Sequence, residues 1–142
     1  MGEVKVKVKL TNAVDLGLVR QRRGPGAWTM PIGEVHSYEA DALVDTGCIS
    51  LVLPSHVVRK LGLERRGKQV ARYADGRREE VDVTEAVEVE IAGRTVLQEA
   101  LVLGDTVLIG QTILERMDLH VDCPGRRLLP NPEHPDQPVL RV

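Results

Sequence analysis

The chain has 142 residues, enough for one domain that can bury roughly two-thirds of the surface its unfolded form exposes. Its 19 Lys and Arg against 21 Asp and Glu leave a net charge of −2, without the basic excess expected of a nucleic-acid binder. The local cluster Arg20, Arg22 and Arg23 has no aromatic stacking platform beside it and reads as a solvated loop. Two cysteines, Cys48 and Cys123, are too few for a disulfide scaffold. No stretch approaches the ~20 apolar residues of a membrane span, and residues 1–10 lack the continuous apolar run of a signal peptide. The expectation is a soluble cytoplasmic protein with no membrane or nucleic-acid partner.

In chain order the dominant period is two. Val4, Val6, Val8 and Leu10 alternate with Lys5, Lys7 and Lys9, the pattern of a half-wet strand. Thr11 and Asn12 read as a turn, and residues 14–19 as a short second strand. Residues 20–33, rich in Arg, Gly and Pro, read as a long loop holding the only tryptophan, Trp28, either as anchor or as substrate contact. A strand over 35–44 leads into Asp45-Thr46-Gly47, and an apolar run over 49–53 follows, stopped by Pro54. Ser55 is placed to cap a short helix through Lys60, closed by Gly62. Hairpin turns are predicted at Asp75-Gly76, Ala92-Gly93, Gly104-Asp105 and Pro124-Gly125. Ile113, Leu114 and Met117 carry helical spacing over 111–119. The last stretch holds four prolines over 130–138 and reads as an extended or mobile tail. Many short strands, regular turns and one or two short helices predict an all-β fold, a closed or partly closed barrel, with a domain over 1–129 and a Pro-rich tail over 130–142.

The chemistry concentrates at Asp45. An acid wedged between the apolar runs Ala42-Leu43-Val44 and 49–53 is costly to bury unless it is paired or hydrogen-bonded. Gly47 permits close backbone approach, and Thr46 supplies a hydroxyl. The same three residues also suit a plain turn in which Asp bonds its own backbone, and local features leave both readings open.

Three elements in fixed order resemble the retropepsin-like (clan AA) aspartic proteases. They are Leu43-Val44-Asp45-Thr46-Gly47, the hairpin Arg72-Tyr73-Ala74-Asp75-Gly76-Arg77, and Val107-Leu108-Ile109-Gly110 opening a helix at Gln111. The resemblance spans about residues 4–129. It leans toward the stand-alone bacterial members, in which Ala74-Asp75-Gly76 and Leu119-His120-Val121-Asp122 are familiar. It implies an aspartic endopeptidase acting on peptide or protein substrates, with no metal and no cofactor. The chain carries one Asp-Thr-Gly and is too short for two lobes, so the second aspartate would come from a second copy in a C2 homodimer. In that reading Asp45 is catalytic, Thr46, Gly47 and Gly110 support it, and Tyr73, Ala74, Asp75, Gly76 and Arg77 form a flap over substrate. The alternative from another class is a retropepsin-like barrel that no longer cleaves and serves as a dimerisation or peptide-binding module.

The departures are specific. Residue 48 is Cys where the family usually has Ala or Ser. The acid and Arg that pair in retroviral members are replaced together by Ile49 and Gln111. The flap tip is more polar. Cys48 is expected to be a small buried hydrophobe. A Cys–His nucleophile drawn from His36, His56, His120 or His134, or zinc on Cys48 and Cys123, lacks any supporting spacing. Asp75 and Asp122 read as turn residues, and Asp41 as solvated.

Overall fold

The alternating Val and Lys build the first strand. In this computed structural model, which describes residues 3–21 and 35–142, β1 (Lys5–Asn12) turns Val8 and Leu10 into the core and leaves Lys5, Lys7 and Lys9 in water. It pairs antiparallel with β2 (Ser37–Val44), and the register sets Lys7 opposite Asp41, ion-paired at 3.0 Å on the wet face. Trp28, Arg22 and Arg23 lie outside the described residues.

Asn12 does not form a turn, and residues 14–19 are not a strand. The strand runs through Asn12, which then caps helix α1 (Ala13–Gln21). Its Oδ1 accepts the N–H groups of Val14 (2.9 Å) and Asp15 (3.1 Å), satisfying two of the donors a helix start leaves orphaned. Its Nδ2 donates to the carbonyl of Leu61 at 2.9 Å. The helix wins because the buried Asn12 amide is satisfied at both ends only when the chain turns this way.

Then follow β3 (Leu51–Leu53), α2 (Ser55–Lys60), β4 (Arg65–Arg72), β5 (Arg78–Thr84), β6 (Val87–Ile91), β7 (Arg94–Gln98), β8 (Ala100–Val102), β9 (Leu108–Ile109), α3 (Gln111–Met117), β10 (Leu119–Asp122) and β11 (Arg127–Pro130). Pro54 rather than Ser55 is the N-cap of α2, and no side chain caps it. Ser55 is already helical, and the Pro54 carbonyl takes the N–H groups of Val57 and Val58. The turns at Gly76 and at Ala92-Gly93 form as expected, with positive φ at all three residues.

Nine strands form one sheet in the order β4-β5-β8-β3-β9-β2-β1-β6-β7. The sheet does not close into a barrel: β4 and β7 end it, each paired on one side only among the described residues. Every residue of β4 but Ala71 is exposed, so no strand or core face draws this edge around to meet β7. Gly104-Asp105 is not a hairpin turn either. β8 and β9 are separated by β3, which pairs parallel with β8 and antiparallel with β9. The core is aliphatic, with Leu10, Leu51, Leu53, Leu61, Ile91, Ile109, Ile113 and Met117 all below 2 % exposure.

β10 and β11 form a separate two-stranded ribbon. Asp122 serves its turn as expected, accepting from Gly125 N and Arg127 Nε, and the Arg127 guanidinium holds its carboxyl below the usual range. The tail departs from expectation in being tied down. Asp118, in the left-handed conformation just after α3, accepts Asn131 Nδ2 at 3.0 Å, His134 Nδ1 at 2.7 Å and the Val139 N–H at 3.1 Å. Four prolines suggest looseness only while this distant carboxylate is out of view.

Candidate active site

β9 is the key to the site. It lies between β2 and β3, the two strands that the Asp45 loop connects, and pairs with both. The Asp45 N–H donates to the Ile109 carbonyl at 3.0 Å, and Leu43 N to Val107 O at 2.9 Å. From the other side Val44 N donates to Val4 O at 2.8 Å. The chain then passes beneath the loop at Gly110. A Cβ there would collide with the backbone of Cys48, Ile49 and Ser50, so only glycine admits this crossing. Immediately after it, Gln111 N donates to Cys48 O (2.8 Å) and Thr112 N to Ile49 O (3.2 Å), tying the start of α3 to the loop.

Asp45 is thus fixed by backbone bonds while its carboxylate stays half-exposed at the loop's mouth. Oδ1 accepts the Gly47 N–H at 3.0 Å, and the Asp45 carbonyl accepts Cys48 N at 3.1 Å. Thr46 and Gly47 are exposed, and a Cβ on Gly47 would stand 3.3 Å from the Asp45 carboxylate. The strand predicted over 49–53 begins only at Leu51, which leaves Ile49 outside it, 77 % exposed beside the loop.

Cys48 is half-buried rather than buried, with Sγ aimed at the Ser50 carbonyl at 3.5 Å. Burial pushes its thiol up, the Ser50 bond opposes this, and the nearby Asp45 charge raises it further. That environment disfavours a thiolate nucleophile. No three His, Cys, Asp or Glu side chains cluster at metal-binding distance among the described residues.

The flap residues stand apart from the loop, on the β4–β5 hairpin. Tyr73 N donates to Arg77 O and Gly76 N to Tyr73 O, closing the tip, while Asp75 Oδ1 takes the Arg77 N–H at 2.9 Å as a turn residue. The Tyr73 hydroxyl donates to Glu79 Oε2 at 2.6 Å, which raises its pKa. The Arg77 guanidinium stacks on the Tyr73 ring at 4.5 Å. No hydrogen bond joins this tip to the Asp45 loop among the described residues. A groove of about 490 Å³ runs past Ile49 and Ser50 between Gln69 and Val83 on the hairpin and Leu97, Gln98 and Arg116, and its lining includes neither Asp45 nor the hairpin tip.

One polar cluster escaped sequence reading. Arg94 on β7 is 7 % exposed and donates to the carbonyls of Met117 (2.9 Å), Asp118 (2.9 Å) and His134 (2.7 Å). It caps α3 and holds the tail in one fork. Nothing in the local sequence around Arg94 marks it, because its partners lie far along the chain.

The frame of the site is an acid held by a strand threaded between its own two flanking strands, with the β4–β5 hairpin at the edge of the same sheet. The family described as "gag-polyprotein putative aspartyl protease" matches residues 32–116, which contain Asp45, the hairpin and Gly110. The chain belongs to this family of retropepsin-like aspartic proteases. Among solved structures it is similar to the simian foamy virus (mac) protease in solution, at 15 % identity and TM-score 0.46, over 78 % of this chain and 90 % of that one. It is also similar to the EIAV protease in complex with the inhibitor HBY-793, at 25 % identity and TM-score 0.44, over 54 % and 74 %. No match was found among curated proteins. No helix among the described residues is long and apolar enough to cross a membrane.

Proposed function

We propose that this protein is an aspartic endopeptidase whose site is completed by a second copy, with Asp45 and the partner copy's equivalent forming the catalytic dyad. The observation that carries the reading is the Gly110 crossing. The Gly47-to-Asp45 bond alone is what an ordinary turn makes, but a plain turn has no need of a strand driven beneath it so tightly that one methyl group is excluded. That construction holds the Asp45 backbone rigid and leaves the carboxylate half-open at the surface, where a twofold mate can approach.

Two carboxyls within a few ångströms share one proton and titrate as a pair. The ionised member takes a proton from a water held between them, and the oxygen of that water attacks the scissile carbonyl carbon. The protonated member hydrogen-bonds the carbonyl oxygen, and the amine leaves with a returned proton. Thr46 bonds across the twofold axis and fixes the two loops. Exposed Gly47 leaves room for an extended substrate backbone beside Asp45. The tip Tyr73-Ala74-Asp75-Gly76-Arg77 closes over it and excludes water.

The test is cleavage of a diverse peptide library between about pH 4 and 7, by the wild type and by Asp45→Asn matched for folding and dimer content. Wild-type cleavage that falls at least about 100-fold in the variant is expected. Equal cleavage by both would sink the assignment of Asp45. The replacement of a charged brace by Ile49 and Gln111 favours one second reading, a silent peptide-binding dimer. A dimer of confirmed mass that cleaves nothing would support it.

A further inference from the structure

We propose that the groove past Ile49 selects a bulky apolar side chain of the substrate, on a residue away from the bond that is cut, and that Ile49 sets this preference. The inference rests on the endopeptidase reading above and names the kind of peptide the site takes.

Ile49 is the anomaly that leads there. Among the described large aliphatic residues only the terminal Val142 is more exposed. Its backbone cannot turn the side chain inward. The Ile49 carbonyl accepts Thr112 N, the Cys48 carbonyl accepts Gln111 N, and Gly110 crosses directly against both residues. A single exposed aliphatic side chain would mean little. Here a second one, Leu97 at 53 %, lines the same groove, and the surface between them is apolar as well. Val83 on β5 and Leu101 on β8 are register partners, and both line it. The volume of about 490 Å³ falls within the range of ligand pockets, roughly 300–1,000 Å³.

Charge does not compete with this apolar character. One cation and one anion, Arg116 and Glu99, line the groove, so it offers no net charge with which to choose an ion. Arg116 is already engaged, donating through Nη1 to the Leu97 carbonyl at 2.7 Å and to Gln98 Oε1 at 3.3 Å. The rim is therefore polar and fixed, while the interior is aliphatic. Because Asp45 is absent from the lining, the occupant belongs to a substrate residue removed from the scissile bond. Ile49 nevertheless follows Asp45 by four positions, close enough for one extended peptide to reach both. Gln69 and Val83 stand on the hairpin whose tip is the proposed flap, and the other lining residues on the body. A side chain seated there touches both parts and links recognition to closure. Position 49 carries an acid in retroviral members, so the apolar preference is this chain's own.

The test uses capped peptides with a fixed scissile pair, each flanking position varied in turn among Leu, Phe, Lys and Asp. At one flanking position wild type is expected to prefer Leu or Phe over Lys and Asp by about tenfold or more in kcat/KM. Ile49→Asp is expected to abolish that preference and to favour Lys there, with the other positions unchanged. Leu97→Asp, from another wall of the groove, is expected to shift the same position in the same direction. Val70→Asp, exposed on the other face of β4 from Gln69, is expected to shift none. Melting curves and sedimentation velocity report the folding and assembly of each variant. A profile that ignores both groove variants overturns the inference and leaves the catalytic reading intact. So does a dimeric wild type that Ile49→Asp turns monomeric, since the partner copy would then cover Ile49. If wild type cleaves nothing, binding of the same peptides decides. Apolar selectivity at one position, lost in Ile49→Asp, supports the inference and sinks the catalytic reading, whereas no binding or unselective binding overturns both.

Discussion

Two segments reach out from the aliphatic core, the β4–β5 hairpin (the proposed flap) and the C-terminal strap clipped by Asp118, and their side chains hold them by different means. Beyond its backbone ladder, the hairpin's side-chain links are surface ion pairs, Lys68–Glu80 at 3.7 Å between its own strands and Arg66–Glu99 at 3.9 Å to the body, with both partners well exposed. Such pairs contribute about 0–1 kcal/mol and release readily. The strap hangs on a shielded carboxylate and a buried guanidinium that donates to three carbonyls. The hairpin's side-chain links are weak and independent of one another, whereas the strap is fastened through a shared hub whose members fail together.

The comparison breaks most visibly at Arg94. Arg94→Ala leaves three carbonyls without their donor, and urea unfolding is expected to show a loss of about 2–3 kcal/mol. Arg94→Lys is expected to recover only part of it, since a point ammonium cannot reproduce the fork. No loss on Arg94→Ala would mean that the strap is as lightly held as the flap.

The next effect depends on pH. Asn131, then the Val139 N–H and His134, hold the Asp118 carboxyl down from the ordinary range to about 2. A carboxyl lowered by folding stabilises the native state above its unfolded pKa, and that contribution disappears as pH falls through the folded value. Wild type is therefore expected to exceed Asp118→Asn in melting temperature at neutral pH, with the gap closing between about pH 4 and 2. A pH-independent gap would remove the clip's electrostatic basis.

On the flap, Tyr73→Phe removes the bond to Glu79. It is expected to lower kcat/KM about fivefold, the worth of one ordinary hydrogen bond, while the melting temperature stays put. A fall in melting temperature would show that the flap is part of the cooperative core. The smallest effect belongs to Arg66→Ala, where unfolding free energy is expected to change by less than about 1 kcal/mol.

What the sequence showed in advance follows the range of the interactions. Alternating Val and Lys placed β1, and Asp75-Gly76, Ala92-Gly93 and Pro124-Gly125 placed their turns, because neighbours within a few positions decide each of these. The short α1 was missed although Asn12 with Asp15 three positions on is a helix-start signature. Its burial against Leu61 and Gly62, which settles the matter, is non-local. Gly104-Asp105 looked like a hairpin because nothing nearby tells that β3 will come between the strands it joins. At the candidate site, the loop Asp45-Thr46-Gly47 and Gly110 were legible as a pair only through the family resemblance, and Gly110 lies against the backbone of Cys48, Ile49 and Ser50, just after that loop. The Asp118 hub was not, since Arg94, Asn131 and His134 converge on it from both directions along the chain.

The threading of β9 between β2 and β3 also sets a timetable. Loop-closure entropy must be overcome before a contact that distant in sequence gives anything back. While the chain is still being synthesised, the Asp45 loop has no Ile109 carbonyl to receive its N–H and no Gly110 beneath it. A nascent chain can thus form its amino-terminal strands long before it can shape the loop. Whatever chemistry the loop performs is withheld until the last third of the polypeptide has arrived and folded back through the middle of the sheet.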